Sequence, residues 1–358
     1  MKKRKNKRKV SKITLILIAF IWIVAFVFTL IFVSDSIKKS SKLKKISSII
    51  PIPDGFYYVG GEVDTGVVIS DNKKDQFKGT DYNTLEKMQG NQFVWIPVEK
   101  AIADNFKQAD EMVKQDKNPI AYRDGNNYKS LIYIFDTYQR KYFVVNQSRF
   151  YREPYIISNG IYGDNEQYIE GSTQDLYQVS FNKMVEQVEK NKGFYISRFE
   201  IGNLKNAVQN NEKVVSKANQ EDITNQSWIN LYKVLGSMYD REDVTTEMIW
   251  GCQWDATLAW IANNSNLNRY VYDSKEIGNY YNVIQKTGSN SKYCLNNIYD
   301  MAGNACEWTQ RGSENGGRKA YGQSYSMEED KYTIGSSKQY GITYLWKEVG
   351  TRMTMYVN

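Results

Sequence analysis

Residues 13–34 read ITLILIAFIWIVAFVFTLIFVS, an uncharged run built almost wholly of Ile, Leu, Val, Phe, Ala and Trp. As a helix rising ~1.5 Å per residue it covers about 33 Å, enough to cross the hydrocarbon core of a bilayer. No polar face recurs at the 3.6-residue period that a helix lying on a water-facing core needs. A cleaved signal peptide fits less well, because the run exceeds a typical apolar h-region and no small-x-small site follows it. The segment reads as one transmembrane helix, and the rest of the chain must be arranged around it.

Its flanks set an orientation. Lys2, Lys3, Arg4, Lys5, Lys7, Arg8, Lys9 and Lys12 precede the run; Lys38, Lys39, Lys42, Lys44 and Lys45 follow it, with Asp35 as the only acid. The cation excess on the near side predicts a cytoplasmic tail at 1–12 and an extracellular remainder. Both flanks suit anionic lipid headgroups. Residues 35–50 read as a charged stalk, too polar to pack and too short for a domain.

The net charge of +7 is set by these flanks. Without residues 1–45 the chain keeps 34 Lys and Arg against 39 Asp and Glu, a balance of about −5. That argues against a nucleic-acid-binding surface. The length beyond residue 50 is ample for a real core.

Two absences narrow the chemistry. The chain has no histidine, which removes the commonest general base, every Ser-His or Cys-His pair, and the usual zinc, iron and copper ligand. Cys252, Cys294 and Cys306 show no CxxC spacing. They allow either one extracellular disulfide or three reduced thiols.

Residues 51–90 read as a β-rich lead-in with a hairpin punctuated by Asp54-Gly55 and Gly60-Gly61. NQFVWIPVEK (91–100) is apolar on both faces and predicts a central strand. Residues 101–192 look like an elaboration: Leu131–Phe135 and Tyr142–Val145 predict paired strands. Phe181, Met184, Val185 and Val188 predict a helix, with Ser180 as cap and Gly193 as stop. GFYISRFEIGN (193–203) reads as an alternating strand. SWINLYKVLGSM and MIWGCQWDATLAWI read as amphipathic helices, the second with Trp250, Trp254, Leu258 and Ile261 on one face. NNIYDMAGNACEWTQ places a Gly303-Asn304 turn before a short strand ending at Trp308.

This succession resembles the formylglycine-generating-enzyme (sulfatase-modifying-factor) domain family, a variant of the C-type-lectin-like fold. The matching blocks occur in order: VWIPVE at 94–99, Phe199-Glu200-Ile201-Gly202-Asn203, Ser227-Trp228, Gln253-Trp254-Asp255-Ala256-Thr257, and Tyr299-Asp300-Met301-Ala302-Gly303-Asn304-Ala305-Cys306-Glu307-Trp308-Thr309. The closing blocks survive as Tyr321-Gly322-Gln323-Ser324-Tyr325 and Gly350-Thr351-Arg352. The resemblance covers 91–358 with 101–192 as insertion. It implies an α+β, C-type-lectin-like ectodomain behind one N-terminal transmembrane helix. Trp228, Trp254 and Trp308 read first as core.

Active members of the family use a C-terminal cysteine pair, and nothing after Cys306 is a cysteine. Iron-dependent members use histidine. The resemblance therefore implies a non-catalytic binding domain, displayed for an unidentified glycan or protein ligand. It also implies a structural calcium ion held by the Asp300 and Glu307 side chains and the Gly303 and Ala305 carbonyls, an oxygen set that suits this cation. Two other readings stand beside it. SKITLILIAF resembles a pilin-type leader, which would make the chain a structural surface component, although Lys12 stands where such leaders carry Gly. A metal-dependent enzyme using Asp255 or Glu307 is the other; no paired-acid spacing supports it.

Overall fold

A computed structural model describes residues 12–145, 174–203, 214–239, 241–263, 266–281, 283–312, 317–327 and 333–358. The basic tail before Lys12 and part of the 101–192 segment lie outside the described residues. The chain divides into two compact units, 1–49 and 50–358.

The first unit is one helix, Lys12–Ser47, 36 residues long. It is long and apolar enough to cross a membrane. At ~1.5 Å per residue it measures about 54 Å, well beyond the ~30 Å of a bilayer core. The charged stretch after the apolar run is therefore helix through Ser47, where an unpacked stalk had been expected. Its residues explain this: no Gly or Pro interrupts before Pro51, and Asp35 and Lys39 pair one turn apart at 2.8 Å.

The second unit is mixed α+β. Its larger sheet has six antiparallel strands in the order Tyr57–Gly60, Val68–Ser70, Gln92–Pro97, Gly193–Ser197, Met353–Val357 and Val244–Met248. The first two form the anticipated hairpin. Gln92–Pro97 lies between two neighbours, as its run of apolar residues predicts. Gly193–Ser197 is buried on both faces, so its pattern is that of a central strand and not an alternating one. A second sheet of four strands runs Ser337–Tyr340, Arg318–Tyr321, Cys306–Gly312 and Val349–Thr351. The pairing of Cys306–Gly312 with Val349–Thr351 is parallel, and the strand expected to end at Trp308 continues to Gly312.

Helix Gly251–Asn263 is buried on every side except its last residue. The expected polar face is missing because the 101–192 elaboration covers it. Hairpin Ile132–Asp136/Lys141–Val145 packs on this helix, and Phe181 of helix Gln174–Asn191 meets Trp250 edge to face at 5.2 Å. Helix and elaboration thus share one apolar core with the large sheet. Ser180 lies inside helix Gln174–Asn191, so it is not a cap. The left-handed stop is Lys192 (φ 62°), one residue before Gly193. Helix Trp228–Gly236 starts as its sequence predicts, with Ser227 Oγ accepting from Asn230 N–H at 3.3 Å. Trp228, Trp254 and Trp308 are all fully buried.

Candidate functional site

The site is built outward from the segment Asn296–Ala305. Asn296, Asn297, Asp300, Gly303 and Asn304 all have positive φ, between 47° and 70°. Asn, Asp and Gly are the residues that tolerate this conformation, so the composition of the block is first of all a backbone requirement. The turn then grips a neighbouring loop, the described residues of 277–288. Gly303 forms a parallel bridge with Asn279, and a Cβ on Gly303 would stand 2.4 Å from the Asn279 carbonyl. Asn304 N–H donates to that carbonyl at 2.9 Å. Asn304 Oδ1 accepts from Asn279 Nδ2 at 2.9 Å and from Gln285 N–H at 2.8 Å. Asp300 Oδ2 accepts from Gly288 N–H at 2.6 Å.

The loop so held forms one wall of a cavity of about 930 Å³. Tyr280 and Tyr281 stand on it, and Tyr270 of the short helix Asn268–Tyr272 faces the same space. Tyr280 is fixed by a 2.7 Å hydrogen bond between its hydroxyl and Ser274 Oγ. Tyr281 is 68% exposed. Lys275, Glu276 and Lys292 line the rim; Lys292 belongs to a one-turn helix capped by Asn290 Oδ1. The floor is Ile277 with Cys294 and Leu295, the last two from a two-residue strand that pairs with Ile298–Tyr299 immediately before the turn.

Beneath the turn four carboxylates converge around one guanidinium. Arg352 Nε donates to Glu307 Oε1 and Oε2 at 3.1 and 2.9 Å, and its Nη2 to Oε1 at 2.7 Å. Glu200 accepts from Ala305 N–H at 3.0 Å and from Asn304 Nδ2. Asp222 has both oxygens shut away from solvent without hydrogen-bond geometry, since the adjacent Ile223 N–H donates to Ile201 O at 2.8 Å. Burial raises all four carboxyl pKa values; neighbouring acids add to this at Glu200, Asp222 and Asp300, while at Glu307 Arg352 opposes it. Asp300 is pushed up to about 7 by burial, against the pull of the Gly288 amide and Arg352. Glu200 and Asp222 go well above the usual carboxylate range.

These partners bear on the expected calcium ion. Of the four residues assigned to it, Glu307 has both oxygens taken by Arg352 and Asp300 has one taken by Gly288. A buried guanidinium already sits where a cation would need the Glu307 carboxylate. Among the described residues no group of three or more Asp, Glu or Cys side chains is placed to hold a metal ion. The set Asp300, Gly303, Ala305 and Glu307 does not fit calcium in this arrangement.

The acid considered for an enzyme is equally committed. Asp255 Oδ2 accepts from Arg311 Nη1 at 2.9 Å and from Tyr133 N–H at 3.1 Å, fully buried. No disulfide joins the three cysteines. Burial raises the Cys294 thiol and pushes Cys306 up to about 12, so neither is a thiolate near neutral pH. The residues that line the cavity escaped the sequence reading because they lie in loops or in elements of two to five residues, too short to show periodicity. The one signal was the local density of tyrosine in RYVYDSKEIGNYY (269–281).

No family profile and no curated protein matches the sequence. Among solved structures the chain is similar to CarF, with a TM-score of 0.35 and 14% identity, covering 47% of this chain and 88% of that one. It is also similar to Treponema denticola variable protein 1, with a TM-score of 0.24 and 14% identity, covering 65% and 97%. Both likenesses are too distant to assign a fold.

Proposed function

We propose that this chain is a single-pass membrane protein whose residues 50–358 form an extracellular, non-catalytic binding domain of the formylglycine-generating-enzyme type, a C-type-lectin-like fold. The family reading rests on the ordered sequence blocks from VWIPVE to Gly350-Thr351-Arg352. The anchor rests on the uncharged run within Lys12–Ser47, and the orientation on the cation excess before it.

One observation carries the binding role. The most family-like segment, Asp300–Ala305, spends its polar groups holding the 277–288 loop and the Glu200 carboxylate, and that loop walls an open cavity lined by tyrosines. Concave sites of a few hundred to about 1,000 Å³ with convergent polar groups are the usual places for ligands. In the cluster beneath the turn Glu307 is locked to Arg352, and Glu200 and Asp300 to backbone amides, while burial keeps the Cys294 and Cys306 thiols protonated near neutral pH.

Two measurements test this reading. The full chain in lipid nanodiscs, applied to glycan and peptide arrays, is expected to retain a ligand, and the Tyr281→Ala variant to lose it. Retention by both would move the site away from the cavity. Protease added to intact cells is expected to remove a C-terminal epitope; protection until lysis would reverse the orientation.

A further inference from the structure

We infer that the cavity takes an acidic oligosaccharide, its sugar rings lying against Tyr280 and Tyr281 and its carboxylate or sulfate meeting Lys292. This rests on the binding role above and names the ligand class of that same site.

The charge pattern is the first argument. The chain beyond residue 45 is acidic on balance, yet the cavity rim carries Lys275 and Lys292 with Glu276. Glu276 has Arg269 at 3.9 Å, which leaves its charge offset locally. Among the described residues Lys292 has no ion pair, and its backbone N–H is used by its own cap, Asn290. A cation held at the lip of a concave site, in a domain of opposite net sign, selects anions by attraction and focuses them there.

The walls supply the second argument. Peptide sites usually offer a free strand edge or an apolar groove with pockets for aliphatic anchors. Here the walls are tyrosine rings, which present an apolar face together with a hydroxyl. A pyranose has the matching character, with C–H faces that pack on an aromatic ring and hydroxyls at its edge. Tyr280 is locked by Ser274, and the Tyr270 ring is covered by the Arg269 guanidinium at 4.5 Å. Two of the three rings are therefore held before any ligand arrives, which lowers the ordering cost of binding. A volume of about 930 Å³ has room for an oligosaccharide where a single sugar would leave most of it filled by water.

Cys294 gives the site a built-in reporter. It lies on the cavity floor and is partly exposed, whereas Cys252 and Cys306 are buried. The test uses the full chain in nanodiscs of zwitterionic lipid, so that anionic headgroups do not compete. The probes are sialyllactose and trigalacturonate, with lactose and maltotriose as neutral counterparts. The acidic probes are expected to bind at least tenfold more tightly than the neutral ones, and to weaken as salt is raised. Lys292→Gln, at an exposed position, should cost the acidic probes about tenfold and leave the neutral ones unchanged. Maleimide labelling of Cys294 at pH 8.5 should slow when an acidic probe is bound.

Equal affinity for acidic and neutral probes would overturn the acidic class while leaving a binding domain in place. Array retention of peptides with no glycan bound would do the same. Acidic-probe binding that neither responds to Lys292→Gln nor slows Cys294 labelling would put the ligand elsewhere and overturn the assignment to this cavity.

Discussion

Arg352 and Glu307 form a buried ion pair that joins the two sheets of the domain. Glu307 lies on Cys306–Gly312 of the smaller sheet; Arg352 is the residue at which the chain passes from Val349–Thr351 to Met353–Val357 of the larger one. Arg352 also donates to Ser197 O at 3.0 Å and Tyr299 O at 2.8 Å, so its fork spans the large sheet, the small sheet and the turn segment. Removing one partner strands a buried charge. Arg352→Met is expected to destabilise by roughly 3–5 kcal/mol in urea unfolding, and Arg352→Met with Glu307→Leu to recover most of that loss. A double variant no better than the single one would mean that the backbone contacts of Arg352, and not its charge, hold the sheets.

Calcium is expected to have no effect on melting. The Glu307 oxygens are already engaged by Arg352, and a ligand stabilises only by binding the folded state. The melting temperature of the domain in excess calcium and in chelator should coincide. A rise with calcium would show that the turn opens to admit the ion.

Gly303 and Gly322 separate two costs that a glycine can hide. Both have positive φ, 70° and 74°, but a Cβ on Gly303 meets Asn279 backbone at 2.4 Å while one on Gly322 finds nothing closer than 3.6 Å. Gly322→Ala should lose only the left-handed penalty, about 1–2 kcal/mol. Gly303→Ala should lose more and also release the 277–288 loop, weakening ligand retention. Equal losses in thermal denaturation would remove the close approach from the explanation of the motif.

Stability is expected to fall as pH rises from about 5 to 8. Glu247 is pushed up to about 7 by burial, against hydrogen bonds from Trp250, Gln310 and Tyr356 and the charge of Lys183. Asp300 rises to about 7 for the same leading reason. A carboxyl whose folded pKa is raised contributes its full stabilisation below the unfolded value and loses it through the folded one. For Glu247 that window runs from 4.5 to about 7 and is worth on the order of 3 kcal/mol. Glu247→Gln, which keeps an acceptor for the Trp250 indole N–H at 2.6 Å, should flatten the profile. An unchanged slope would assign the loss to other groups.

The long apolar helix, the lead-in hairpin, strand Gln92–Pro97 and the Ser227 cap were legible because each depends on local pattern. Helix Gly251–Asn263 was not read correctly, since its polar positions, Gln253, Asp255 and Thr257, are buried by a segment distant in sequence. Asp255 tolerates this through Arg311, 56 residues away, and the Tyr133 amide. The Gly303-Asn304 turn was visible, but its partner Asn279 was not, because an asparagine in a loop carries no periodic signal. Asp300 and Glu307 share one motif, but Glu200, Asp222 and the Arg352 that pairs with Glu307 come from distant segments, so the motif alone does not show the cluster.

The central claim is that residues 267–295 form the working face of a displayed binding domain. Hydrogen exchange of the full chain in nanodiscs, with and without its strongest array ligand, tests it most directly. The account predicts added protection at Tyr270, at 277–281 and around Lys292, with the Cys306–Gly312 strand unchanged. Protection confined to other segments, with 267–295 exchanging as before, would contradict it.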